Sequence, residues 1–348
     1  MTPPPGAGRP GDPEPGTDRL PRYEARVVEQ DATGRMPVVG SVPPPPATAI
    51  PAPATEETAI PAPEEQPEPT TEQPPTGKQP GRAGRNLGAA IGVGLGLGGV
   101  ILASLLVWRP AFLGVLVAAV LVGVVELTRA LQAGNFRAPL VPLLVGTLAM
   151  EALAWSRGPS GLVVGFLFTV LAVVLWRLAG GPVRYLRDAA AGALVASYVP
   201  LLAGFAVLLL VPDDGVARVL VFIATVVCSD VGGYAAGVLF GKHPMAPSIS
   251  PKKSWEGMAG SIAACVLLAT LVFTFTFHAP WWGGVIFGVA IAASSTIGDL
   301  GESLIKRDLG IKDMGNLLPG HGGIMDRLDS LLPSAALAYL LLSILAPV

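Results

Sequence analysis

Six of the thirteen acidic residues that follow residue 85 fall between Asp299 and Asp329, interleaved with Lys306, Arg307, Lys312, His321 and Arg327. Asp299, Glu302, Ser303 and Lys306 stand at i, i+3, i+4 and i+7, so on a helix they share one face. Asp326 and Asp329 form an i, i+3 pair just ahead of the apolar run that begins at Leu331, which places both in the first turn of a helix. Two helix ends thus turn carboxylates towards one another. Hard divalent cations take oxygen ligands, and Mg²⁺ is usually held by one or two carboxylates together with substrate phosphates. Asp299 and Asp326 are the pair suited to that role. In Asn316-Leu-Leu-Pro319-Gly320-His321-Gly322-Gly323 the glycines let backbone N–H groups approach an anion closely. Phosphate is the expected anion, and Lys306, Arg307 and Lys312 carry the charge to neutralise a triphosphate, arginine bidentately. His321 lacks a serine or cysteine setting such as GxSxG, which speaks against a nucleophilic triad.

A second polar segment begins with Asp230, an acid well inside an apolar run, where it is expensive unless it faces a polar cavity. Ser248-Ile-Ser250-Pro251-Lys252-Lys253-Ser254-Trp255-Glu256-Gly257 follows. Glu126, three residues before Arg129, reads as half of a structural pair at the membrane interface, and Glu151 as an acid inside a span with no assigned role.

Ser303-Leu-Ile-Lys306-Arg307, then Lys312-Asp313, then Met-Gly315-Asn-Leu-Leu-Pro319-Gly-His321-Gly322-Gly323-Ile-Met-Asp326-Arg327-Leu-Asp329 resembles the pattern of the phosphatidate cytidylyltransferases (CDP-diacylglycerol synthases). The segment from Asp230 to Gly257 is similar to the other polar block of that family, with Ser254 where threonine is commoner and the hydroxyl kept. The resemblance implies transfer of CMP from CTP to phosphatidic acid, giving CDP-diacylglycerol and pyrophosphate. It implies two divalent ions, Mg²⁺ by type, on Asp299 and Asp326, with Asp329 and Asp313 in support. Lys253, Lys306, Arg307 and Lys312 would then hold the phosphates, and Asp230, Ser250, Glu256, Ser303, His321, Gly322, Gly323 and Arg327 would complete the substrate site. A homodimer is also implied. No general base is required, because a phosphate nucleophile is already an anion at neutral pH.

These residues must be positioned by a membrane scaffold. The 348 residues are 51% hydrophobic and 14% charged, with a mean hydropathy of +0.58, far from a soluble domain. Residues 1–85 differ from the rest: they hold 21 of the 35 prolines and 12 of the 25 acids, and repeat AIPAP at Ala49–Pro53 and Ala59–Pro63. That composition predicts a disordered, solvated Pro-rich tail, without a secretory signal. Residues 86–348 form the second domain, with about nine apolar spans expected near 88–108, 111–131, 138–156, 161–178, 191–211, 217–240, 257–277, 281–300 and 329–347. The fold class is therefore an all-α polytopic membrane protein. The Gly92, Gly94, Gly96, Gly98 and Gly99 pattern of the first span predicts close helix packing.

With a cytoplasmic N-terminus, the inward flanks and loops carry fifteen Lys and Arg, and the outward ones only Arg109, Arg157 and Arg218. This bias places the polar loops 241–256 and 301–328 in the cytoplasm, on the inner face of the cell membrane. A net charge of -2 with no basic stripe excludes nucleic acid as a partner. Cys228 and Cys265 sit in apolar runs with no metal or disulfide spacing. The nearest alternative enzyme is a CTP-dependent lipid kinase of the dolichol-kinase type. A CDP-alcohol phosphotransferase would need a DGxxAR run that is absent, and a secondary transporter would show an inverted repeat.

Overall fold

The computed structural model describes residues 87–317 and 322–347. The Pro-rich tail and His321 lie outside the described residues. Helix α1 (Leu87–Val107) leads into α2 (Arg109–Ala133), started by Pro110 in its first turn, where a missing N–H costs nothing. Then come α3 (Leu140–Ala179), α4 (Tyr185–Tyr198), α5 (Pro200–Leu210) and α6 (Gly215–Phe240). A short hairpin of β1 (Pro244–Ala246) and β2 (Ser250–Ser254) precedes α7 (Trp255–Phe275), α8 (Trp281–Asp308), α9 (Met325–Leu328) and α10 (Leu331–Leu345).

Seven helical stretches among the described residues are long and apolar enough to cross a membrane, α4 with α5 and α9 with α10 each counting as one. The chain is thus a multi-pass membrane protein, and the expectation of nine spans is met only in part. The 40-residue α3 accounts for one difference. At Gly158 the backbone takes φ 66° and ψ -151°, and Pro159 follows. A Cβ at Gly146 would collide with Thr169, and Gly165 rests against Met150, so α3 folds back on itself as two antiparallel arms. These arms are the expected spans 138–156 and 161–178. The first expected span is α1, of which Gly94–Val107 forms only a shorter apolar helix among the described residues. Its glycines do not pack: Gly92, Gly96, Gly98 and Gly99 have no neighbour where a Cβ would sit. The all-α expectation also needs correction for the two-stranded hairpin. Pro244, Pro247 and Pro251 deny this stretch helical hydrogen bonds, and it pairs as an antiparallel ribbon instead.

The close packing lies further along the chain. Gly232 and Gly260 each face the other's helix backbone, Gly233 meets Ser261, and Gly284 and Gly288 sit against the backbone of Thr270 and Val266. With no side chain in the way, α6, α7 and α8 pack as an antiparallel row, and Gly298 lets α8 rest on the carbonyl of Asp329. Phe273 stacks beside Phe287 at 5.5 Å and joins Phe222, Ile291 and Leu342 in one core. Val124, Leu127, Leu143, Val195 and Met325 form a second core around α2. Other large apolar side chains, such as Leu167, Phe168, Val238 and Leu267, are exposed, as a surface that meets lipid requires.

Charge separates by end. Arg109 donates to the carbonyls of Pro212 and Asp213, and Arg218 donates to the carbonyl of Ala346, beside the Gly158 turn. At the other end, buried Asp188 accepts from Arg177 Nη2 at 2.6 Å and from the Arg137 N–H at 2.9 Å, while Arg187 donates to the carbonyl of Gly134. The three arginines expected on one side therefore share one end of the molecule.

Candidate active site

α8 runs unbroken through Asp299, Glu302, Ser303 and Lys306, as their spacing predicts, and its glycine contact brings this face onto the turn that carries Asp326 and Asp329. Lys306 Nζ sits 3.0 Å from Glu302 Oε2 and 2.9 Å from Asp326 Oδ1, tying the end of α8 to α9. Asp326 is almost fully buried. It accepts from the N–H of Met314 at 3.0 Å and of Gly323 at 2.8 Å, so the anion gripped by this glycine-rich segment is the protein's own carboxylate. Gly322 has φ 80°, a conformation open to glycine, and a Cβ there would press on Asp326.

The second block meets the first across one cavity. Ser254 caps α7 by accepting from the Gly257 N–H at 3.1 Å, which explains why a hydroxyl suffices at this position. Lys253, just before it, reaches Asp299 Oδ2 at 2.6 Å. A cavity of about 440 Å³ opens between α6, the hairpin, α7, α8 and α9, and its wall includes Asp230, Ser250, Lys253, Asp299, Arg327 and Asp329, with Asp326 behind them. Seven of the residues singled out from sequence are thus brought together, and Lys306 joins them through Asp326.

Others are placed elsewhere. Glu256 accepts from the N–H groups of Lys242 and His243 and from the His243 ring at 2.6 Å, so it closes the base of the hairpin. Arg307, Lys312 and Asp313 are exposed, and with Ser303, Gly322 and Gly323 they do not line the cavity. Lys252, part of the same polar segment as Lys253, does, together with Ser295, Thr296 and Ser330, which the sequence did not distinguish.

Glu126 is a correction to the expected interfacial pair. Arg129 is exposed, whereas Glu126 is buried and accepts from the Met325 N–H at 2.8 Å. A Cβ at Gly315 or Gly323 would collide with its carboxylate, so both loop strands close directly over it. Glu126 thereby fixes the segment on which Asp326 sits. A glutamine retains an oxygen for the Met325 N–H, so Glu126→Gln is expected to cost less than tenfold in turnover. Glu126→Leu leaves that N–H and its cavity unsatisfied and is expected to cost more than tenfold. Turnover at matched membrane expression separates the two.

Among the described residues, Asp230, Asp299, Asp326 and Asp329 line this cavity with serine and threonine residues, an oxygen donor set that suits a hard cation. Buried Glu302 does not line the cavity; its Oε2 is held by Lys306 and its carboxyl group lies beside that of Asp329. No three acidic, histidine or cysteine side chains among the described residues are grouped to hold an ion alone. A partial protein shell of this kind matches Mg²⁺, which completes its coordination with water and phosphate oxygens.

Residues 89–345 match the Cytidylyltransferase family. The chain is 47% identical over 285 residues to the phosphatidate cytidylyltransferase of Mycobacterium leprae (strain TN), across 77% of this chain and 91% of that protein. It is 44% identical over 287 residues to the enzyme of the same name from Mycobacterium bovis (strain ATCC BAA-935 / AF2122/97), across 79% and 93%. Phosphatidate cytidylyltransferase 5, chloroplastic, of Arabidopsis thaliana is 40% identical over 126 residues, 36% of this chain and 31% of that one.

Proposed function

Because the chain belongs to the phosphatidate cytidylyltransferase family, we propose that the cavity bounded by Asp230, Lys253, Asp299, Arg327 and Asp329 is where it joins CTP to phosphatidic acid. The chain is a nucleotidyltransferase, and its reaction yields CDP-diacylglycerol and pyrophosphate. A phosphate oxygen of the lipid attacks the α-phosphorus of CTP, the new P–O bond forms there, and the bond to the β-phosphate breaks. No proton need be removed from the nucleophile. The difficulty is that two polyanions must meet, and such transfers rest on positioning and charge stabilisation.

The observation that carries this reading is the pair of cross-element contacts, Lys253 to Asp299 and Lys306 to Asp326, at one cavity lined by both signs of charge. Lys252, Lys253 and Arg327 line the cavity and would meet phosphate oxygens there. Lys306 and Glu126 hold Asp326 in place. Asp299 and Asp326, supported by Asp329, would hold the divalent ions, which when bound supply positive charge to the triphosphate and the leaving pyrophosphate. Arg307 and Lys312, exposed outside the cavity, would meet incoming CTP, His321 would take part in binding it, and Asp313 would support the metal ligands.

The position of label in CTP tests this against a CTP-dependent lipid kinase. Given purified protein, Mg²⁺ and phosphatidic acid, label at the α-phosphorus is expected in the lipid phase and label at the γ-phosphorus in aqueous pyrophosphate. Chelation with EDTA is expected to abolish both. Lipid-bound γ label with aqueous CDP would overturn the assignment.

We further infer that the cavity opens to the cytoplasm, supported by the bias of fifteen inward against three outward basic residues. In a chain lacking Cys228 and Cys265, Ser248→Cys and Asn316→Cys are expected to resist an impermeant thiol reagent in intact cells. Ser160→Cys, at the opposite end, is expected to react. The reverse pattern would invert the topology.

A further inference from the structure

Arg327 belongs to two cavities at once. On one side it lines the polar cavity, and on the other it lines an apolar cavity of about 130 Å³ enclosed by α1, α2, α5, α6 and α10. Every other residue around the second cavity is apolar, with Ile101, Phe112, Ala119, Ala206, Phe222 and Leu332 representing the five helices. A guanidinium at the mouth of a hydrocarbon-walled space inside a membrane protein suits an amphiphile with an anionic head and an apolar tail.

We propose that this apolar cavity, close in size to one that holds a benzene ring, seats the stretch of one acyl chain nearest the headgroup, with Arg327 at the junction between headgroup and chain. The inference rests on the reading of that substrate as phosphatidic acid. Lipid tails are as apolar as leucine, so moving a chain from the bilayer into this cavity gains little from the hydrophobic effect. What a packed wall supplies is shape: a chain that fits keeps its dispersion contacts, and one that does not fit loses them or must displace a side chain. The cavity therefore sets which acyl chains are accepted far more than how tightly lipid is held. The second chain stays in the bilayer.

The test compares dipalmitoyl with diacetyl phosphatidic acid, whose two-carbon chains barely enter the cavity. Ala119→Leu, which fills it, is expected to lower kcat/KM about tenfold for the long lipid, mostly through KM, and by less than twofold for the short one. Phe112→Ala, which enlarges it, is expected to shift preference towards methyl-branched chains. A phosphatidic acid with a diazirine close to the carbonyl of one chain is expected to crosslink to α1 or α2 of the unmodified protein. Excess unlabelled phosphatidic acid should suppress the crosslink and excess phosphatidylcholine should not. Equal effects of Ala119→Leu on both lipids, or a crosslink that phosphatidylcholine removes equally well, would overturn the proposal. The second result would identify a bulk lipid as the occupant. If the unmodified protein turned over neither lipid, the functional reading would fail instead, and the crosslink would still decide what the cavity holds.

Discussion

Asp299→Asn is expected to lower kcat by on the order of 10³ at matched membrane expression, with the folded protein as stable as before. The substitution keeps size and removes charge from a half-buried carboxylate whose ion pair with Lys253 spans the polar cavity. Asp326→Asn is expected to lose as much activity and to lower thermal stability as well. Both Asp326 oxygens already accept, one from Lys306 and the other from Met314 and Gly323 N–H groups, so an amide nitrogen at either position would face a donor. Activity assays alongside thermal unfolding in detergent distinguish these outcomes. Near-normal turnover for Asp299→Asn would remove it from the site.

Lys306→Met is the second change with a large expected effect, this time on folding. Glu302 is wholly buried and Asp326 nearly so, and Lys306 lies between them. Removing the ammonium leaves two carboxylates facing each other in a low-dielectric setting, a loss of about 3 kcal/mol or more. Adding Glu302→Gln removes one of the two charges and is expected to restore a measurable part of the stability without restoring activity. A double variant no more stable than Lys306→Met alone would show that the two residues are not energetically coupled.

The acids and glycines of the C-terminal third were legible in sequence because their chemistry is local. Helical spacing alone placed Asp299, Glu302 and Lys306 on one face, whereas Asp326 and Asp329, expected in the first turn of the last helix, stand on the one-turn α9 and in the turn that joins it to α10. Glu126 was misread because its partner, Met325, lies 199 residues away and contributes a backbone N–H that no residue type advertises. Arg307 and Lys312 carry the right charge for phosphate, but their positions turn them outward from the cavity. Glycine patterns misled for a related reason. Spacing in α1 looked suited to close packing, yet the glycines that bring helices together are those of α6, α7 and α8, where a facing backbone exists to be approached. The hairpin of β1 and β2 went unseen because its proline-rich strands are only three and five residues long.

The reversal at Gly158 bears on how the chain enters the bilayer. Its two arms meet with essentially no connecting segment: Pro159 starts the second arm directly, and Ser160 Oγ already bonds back to the carbonyl of Arg157. A translocation machine that threads spans singly would need slack between them, and there is none here. The two arms are therefore expected to enter lipid together, as one helical hairpin with Arg157 at its tip.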